Sequence, residues 1–93
     1  MVLNVRRFSK HAEERMVEAY KASPKVAGVL ALINKNASKN MVEFATGDEI
    51  YVLIPGEGAF VVKGDTVVTF IHKSRIGAHG ECQRAYARFS KVA

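Results

Sequence analysis

The sequence holds a single cysteine, Cys82. It can close no internal disulfide and has no second thiol for a zinc pair, so a reducing, cytoplasmic setting is the expectation. Long apolar runs are missing too, since none approaches the ~18 residues that a membrane helix needs. Residues 1–7 lack the apolar core of a secretory leader, and none is expected. There is no internal repeat, no low-complexity tract and no linker, and 93 residues suit one domain with one core. Three histidines stand without HxH or HxxxH spacing and without a partner cysteine, so no metal pattern is present. Gly56 and Gly58 do not open a helix, which leaves no nucleotide-cofactor fingerprint. No cofactor is expected.

Basic charge is scarce in the middle of the chain and in excess at both ends. Net charge is +5, but residues 1–25 carry +3, residues 26–62 carry −2 and residues 63–93 carry +4. A fold that brings the ends together would make one basic surface, suited to phosphate backbones or to an acidic partner. Hydrophobic content of 48% and charged content of 25% are those of an ordinary globular chain.

The apolar pattern changes period part-way along. Val2, Leu3 and Val5 suggest a short opening strand. Ser9 is a good N-cap for a helix running to about Ala22, with Ala12, Met16, Ala19 and Tyr20 as its buried stripe. A second helix is expected from Ser23 and Pro24, with Val26, Val29, Leu30, Leu32 and Ile33 making it the central core helix. Gly28 inside it suggests close packing, and residues 34–40 read as a polar loop that ends it. From residue 41 the pattern is that of strands, at 41–45, 50–54, 59–62 and 66–72. The short connectors between them each contain glycine, the mark of successive hairpins. Residues 81–91 read as a last helix, with Cys82, Tyr86 and Phe89 inward and Arg84, Arg88 and Lys91 on another face. The expected fold is therefore α+β: an N-terminal strand and two helices, a four-stranded antiparallel β-meander, and a C-terminal helix. One face of the sheet should pack on the helices while the other stays partly open.

Two clusters carry chemistry. His11 and Arg15 lie four apart on one helix face, a proton carrier beside a phosphate-binding guanidinium; the plain alternative is a helix rim with Arg15 paired to Glu14 or Glu18. At the end of the last strand Thr69, His72, Lys73, Ser74 and Arg75 supply a hydroxyl, an imidazole and two cations. Strand alternation sets His72 on the side of Val68 and Phe70, opposite Thr69 and Lys73. Cleavage of RNA without a metal needs a base for the 2′-hydroxyl, an acid for the leaving oxygen and cations for the phosphorane. These residue types can fill those roles, although a polar strand end would look the same. His79 in a glycine-flanked loop reads as solvent-facing and Cys82 as packing. Phe44, Tyr51 and Phe60 could stack bases on an open face, but core burial fits them better.

Ser9, His11, Ala12, Arg15 and Met16 reproduce an S-x-H-A-x-x-R-M pattern. It resembles the opening of a widespread family of small bacterial and phage domains of unknown function. In that family helical segments and a meander follow, ending in a strand similar to residues 66–73 here. Those domains look related to RelE-like and colicin-type ribonuclease toxins, which are metal-independent and act on tRNA or ribosome-bound mRNA. The resemblance implies an RNA-directed domain, an endoribonuclease in the catalytic version, with His11, Arg15, Thr69 and His72 as site residues. Lys10, Lys73, Arg75, Arg84 and Arg88 would then meet the nucleic acid. Implied partners are RNA and a cognate antitoxin or host protein, with no membrane; an exposed sheet edge would allow a homodimer. The chain departs from the family pattern after Met16, where Val17, Glu18 and Ala19 replace its usual E-R-G. The rival expectation is a non-catalytic module that binds nucleic acid or inhibits a host protein.

Overall fold

A computed structural model describes residues 4–43, 48–54, 56–78, 80, 83 and 84. The elements run β1 (Arg7–Phe8), α1 (Lys10–Tyr20), α2 (Val26–Asn40), β2 (Met41–Glu43), β3 (Glu49–Ile54), β4 (Gly58–Lys63) and β5 (Thr66–His72), followed by a 3₁₀ turn at Ile76–Ala78. They form one five-stranded sheet in the order β1-β5-β4-β3-β2. The architecture is α+β, and β2 to β5 form the antiparallel meander that the hairpin connectors predict. The sheet as a whole is mixed, because β1 adds in parallel beside the start of β5. That strand lies later than expected, and two residues show no periodicity to find. Backbone bonds make it: the N–H groups of Arg6 and Arg7 donate to the Asp65 carbonyl, and Ser9 N–H donates to the Val67 carbonyl. Of the expected C-terminal helix only Gln83 and Arg84 are described; His79, Cys82 and Arg88 lie outside the described residues, as does Phe44.

Helix α1 begins at the predicted cap. Ser9 is extended, and its Oγ accepts from the Ala12 N–H at 3.0 Å. The helix closes on Lys21 in the left-handed region, φ 59°, whose N–H returns to the Val17 carbonyl. Ala12 and Met16 are buried as the stripe requires, but Tyr20 is 39% exposed.

Helix α2 starts two residues later than expected and continues to Asn40, through the stretch that reads as a loop. Residues 34–40 contain no glycine or proline to stop it. Asn34 takes its amide partners outside its own helix: its Oδ1 accepts from Val5 N–H at 2.8 Å, and its Nδ2 donates to the Val5 carbonyl at 3.0 Å. Ile33 and Ala37, one turn apart, are both buried. The helix is less central than its composition suggests, with Leu32 exposed on its outer side and nothing within 4 Å of the place a Gly28 side chain would occupy.

Both faces of the sheet carry buried side chains. On the helix face, Val52, Ile54, Phe60, Val62, Val67 and Phe70 pack under Ala12, Met16, Ile33 and Ala37. On the outer face Leu53, Ala59, Val61 and Ile71 pack with Ile76, so most of this face is closed rather than open. Central strand β4 is buried along its whole length except Lys63.

A bulge divides β5. Val61 pairs with Thr69 while the next residue, Val62, pairs with Val67, so Val68 is an extra residue. The bulge reverses the alternation on its far side. Val67 and Phe70 consequently share the helix face, three residues apart, and Val68 joins the outer cluster. This corrects the expected placement of Val68: His72 follows Phe70 alone, with ring centroids 6.2 Å apart.

Candidate functional site

Beyond Val67 the outer edge of β5 has no strand beside it among the described residues, because β1 pairs only with Thr66 and Val67. Helix α1 runs past this edge. Ser9 fixes its position: besides capping the helix, its Oγ donates to the Val68 carbonyl at 3.0 Å. One hydroxyl thus ties the first turn of α1 to the bulge, and it sets the helix face bearing His11 and Arg15 against the second half of β5. Replacing Ser9 by alanine removes a cap worth about 0.5–2 kcal/mol and leaves the Val68 carbonyl without its donor, about 1 kcal/mol more. The Ser9→Ala variant should therefore lose roughly 2–3 kcal/mol of unfolding free energy in urea titration. Ser9→Thr, which keeps the hydroxyl, should lose under about 1 kcal/mol.

Two depressions adjoin along this edge and share Arg15, Phe70 and Arg75. The smaller, about 190 Å³, opens on the helix side and adds Glu18, Ala19, His72 and Ser74. The larger, about 320 Å³, reaches round to the outer face and adds His11, Glu49, Tyr51 and Thr69, with Val61, Val68 and Ile71. Residues 11, 15, 69, 72 and 75 thus border a cleft made of two adjoining depressions, with His11 and Thr69 on the larger, His72 on the smaller, and Arg15 and Arg75 on both.

His72 is the most closely held of these groups. Its Nδ1 lies 2.8 Å from Ser74 Oγ and accepts from the Ser74 N–H at 3.2 Å. Ser74 therefore offers a donor to the neutral ring and, through its hydroxyl oxygen, an acceptor to the protonated one. With the ring neutral, Nδ1 accepts from Ser74, which orients the ring and puts its proton on Nε2. Tyr20 packs edge-on against it, centroids 5.5 Å apart, while the Tyr20 hydroxyl donates to Glu57 Oε2. That bond joins the end of α1 to the turn between β3 and β4.

Arg15 makes the ion pair foreseen as the plain alternative, with its Nη1 2.9 Å from Glu18 Oε2. Both side chains are substantially exposed, at 35% and 55%. Such a pair is worth little, and a phosphate can displace the carboxylate. Arg75 and His11 are exposed and form no side-chain hydrogen bond or ion pair with another described residue.

The other expected phosphate contacts do not converge here. Lys10 borders a separate depression on the outer side of α1 with Glu13, Glu14 and Val17. Lys73 and Arg84 are exposed and border neither half of the cleft. Arg7 is engaged by Asp65 at 3.7 Å. Among the described residues the two basic ends meet at the cleft through Arg15 and Arg75. Phe60 is buried core, whereas Tyr51 is half-buried and borders the cleft. Sequence reasoning did not single out Glu49, Tyr20 or Glu57, and it left Ser74 without a role. Glu49 was hidden in a presumed connector, although its spacing from Tyr51 and Leu53 marks the same strand face.

Among the described residues no three His, Cys, Asp or Glu side chains gather as a metal site, and no helix is long and apolar enough to cross a membrane. No family model, no curated protein and no solved structure matches this chain.

Proposed function

We propose that this is an RNA-directed domain whose cleft along β5 binds, and in its catalytic form cleaves, the phosphodiester backbone. The observation that carries the reading is that two adjoining depressions, one bordered by His11 and Thr69 and the other by His72, share Arg15 and Arg75. Arg15 and Arg75 would neutralise a phosphate placed where the two depressions join. His11 would take the proton of the 2′-hydroxyl as its oxygen bonds to phosphorus. His72, protonated, would give its Nε2 proton to the departing 5′-oxygen as the P–O5′ bond breaks. The products are a 2′,3′-cyclic phosphate and a free 5′-hydroxyl, with no redox change and no further reactant. Thr69 would hydrogen-bond a non-bridging oxygen. Helix order, meander and the end of β5 accord with the resemblance of residues 8–16 and 66–73 to the toxin-like domains.

The test is incubation with tRNA and total RNA in EDTA, comparing the unaltered chain with His11→Ala and His72→Ala. Cleavage leaving cyclic phosphate ends is expected, falling at least about 100-fold in His72→Ala, the usual scale for a general acid. No cleavage by the unaltered chain, or undiminished cleavage by both variants, would remove the catalytic version. The non-catalytic alternative draws support from His11, whose ring no described residue orients. It predicts RNA binding that weakens steeply with salt and yields no new ends.

A further inference from the structure

We infer that the larger depression is a nucleobase subsite selective for guanine, and that Glu49 reads the base. This rests on the RNA-directed reading above and names what that surface accepts.

The floor is a row across three strands. Tyr51 pairs with Val61, and Val61 pairs with Thr69, all on the outer face. Val61 in the middle of the row is buried, so a base would rest against the half-buried Tyr51 and Thr69 at its two ends. Its volume of about 320 Å³ exceeds the 190 Å³ of the neighbouring depression. The cations stand at one side, with Arg15 and Arg75 on the boundary between the two.

Among the described residues Glu49 is the only acid bordering the larger depression. Its side chain is half-buried and forms no ion pair or hydrogen bond with another described residue, and its partner across the ladder is the exposed Lys63. A carboxylate here repels phosphate, so the backbone belongs at the arginine boundary and the space beside Glu49 is left for a base. Carboxylate oxygens only accept hydrogen bonds. Guanine alone presents two neighbouring donors, N1–H and the N2 amino group, on its Watson–Crick edge. Adenine and cytosine set one amino group beside a ring-nitrogen acceptor, and uracil sets one N–H between two carbonyls; each places a lone pair against the carboxylate. Bases exposed in single-stranded RNA are read along this edge.

The experiment is equilibrium binding of the four nucleoside 3′-monophosphates to the full chain, to Glu49→Gln and to Arg75→Ala. The guanosine nucleotide should bind the unaltered chain at least about tenfold more tightly than the others, the scale of one bidentate base contact. In Glu49→Gln that advantage should shrink to about twofold or less, because one acceptor becomes a donor. Arg75→Ala should weaken all four nucleotides together and keep their order. Equal affinities in the unaltered chain would overturn base reading while leaving the RNA-directed proposal standing. A preference that survives Glu49→Gln would overturn the role of Glu49. Failure of every nucleotide and of RNA itself to bind would remove the RNA-directed reading, and this inference with it.

Discussion

Replacing Gly58 by alanine should cost this protein about 3–5 kcal/mol of stability, the sum of a strained backbone and an overpacked contact. Gly58 opens β4 at φ +145°, a conformation that glycine adopts readily and residues with a Cβ do not. The added carbon would lie 2.1 Å from the Ile71 carbonyl oxygen and 3.0 Å from the Lys73 nitrogen. Both are backbone atoms of the facing strand, so no rotamer change relieves the clash. Opening the strands would also break the bond from Lys73 N–H to the Glu57 carbonyl, 2.9 Å long. A chain of this length has roughly 5–14 kcal/mol in total, so the loss is at least about a fifth of it and most of it at the lower end. In urea titration the midpoint should fall by more than about 1 M with the slope unchanged. Gly28→Ala, on an exposed helical turn with open space around it, should move stability the other way by about 0.5–1 kcal/mol. A Gly58→Ala midpoint close to that of the unaltered chain would mean that the strands separate easily there. The consequence reaches the cleft, because Gly58 is the register partner of His72.

Phe60→Ala should be comparably severe. Its ring, 2% exposed, is the largest fully buried side chain described. It sits at the centre of the helix-face core, 4.7 Å from the Phe70 ring and edge-on to Phe8 at 6.4 Å, measured between centroids. Truncation removes the transfer energy of the ring and leaves a cavity that the sheet cannot collapse around, together about 3–5 kcal/mol. For a domain of this size that corresponds to a fall in Tm of more than about 12 °C. Val17→Ala, at a position 41% exposed on α1, should change stability by less than about 0.5 kcal/mol. A small Tm change in Phe60→Ala would show that Phe8 and Phe70 close over the gap. Phe70 borders both halves of the cleft, so a loosened ring stack should weaken nucleotide binding even where the variant stays folded.

Local signals were legible in the residues, and signals that depend on distant partners were not. Ser9 as a cap, the Ala12 and Met16 stripe and the antiparallel meander are each written in a few neighbouring residues. Strand β1 is not, because what makes it a strand is the Asp65 carbonyl, far along the chain. Helix α2 runs on through an asparagine-rich stretch that looks like a loop, because that stretch holds no glycine or proline and Asn34 takes its partners from the distant Val5 backbone instead of its own helix. The closed outer face could have been read from the run at 59–62, where four consecutive apolar residues leave no polar side for an open surface. For the site, His11 and Arg15 and the polar end of β5 were visible as separate clusters. The bulge at Val68 that sorts their faces, and Glu49 on the same depression as the arginines, required the register.

The bond from Ser9 to the Val68 carbonyl spans 59 positions. Helix α1 can begin to form as soon as its own residues leave the ribosome, but its histidine and arginine then face no strand. Every described group that completes the cleft, from Glu49 to Arg75, is made later. Contacts between segments so far apart close late in folding. The cleft is therefore a property of the nearly finished chain, and a polypeptide interrupted before β5 carries half of the residues for a site and none of its shape.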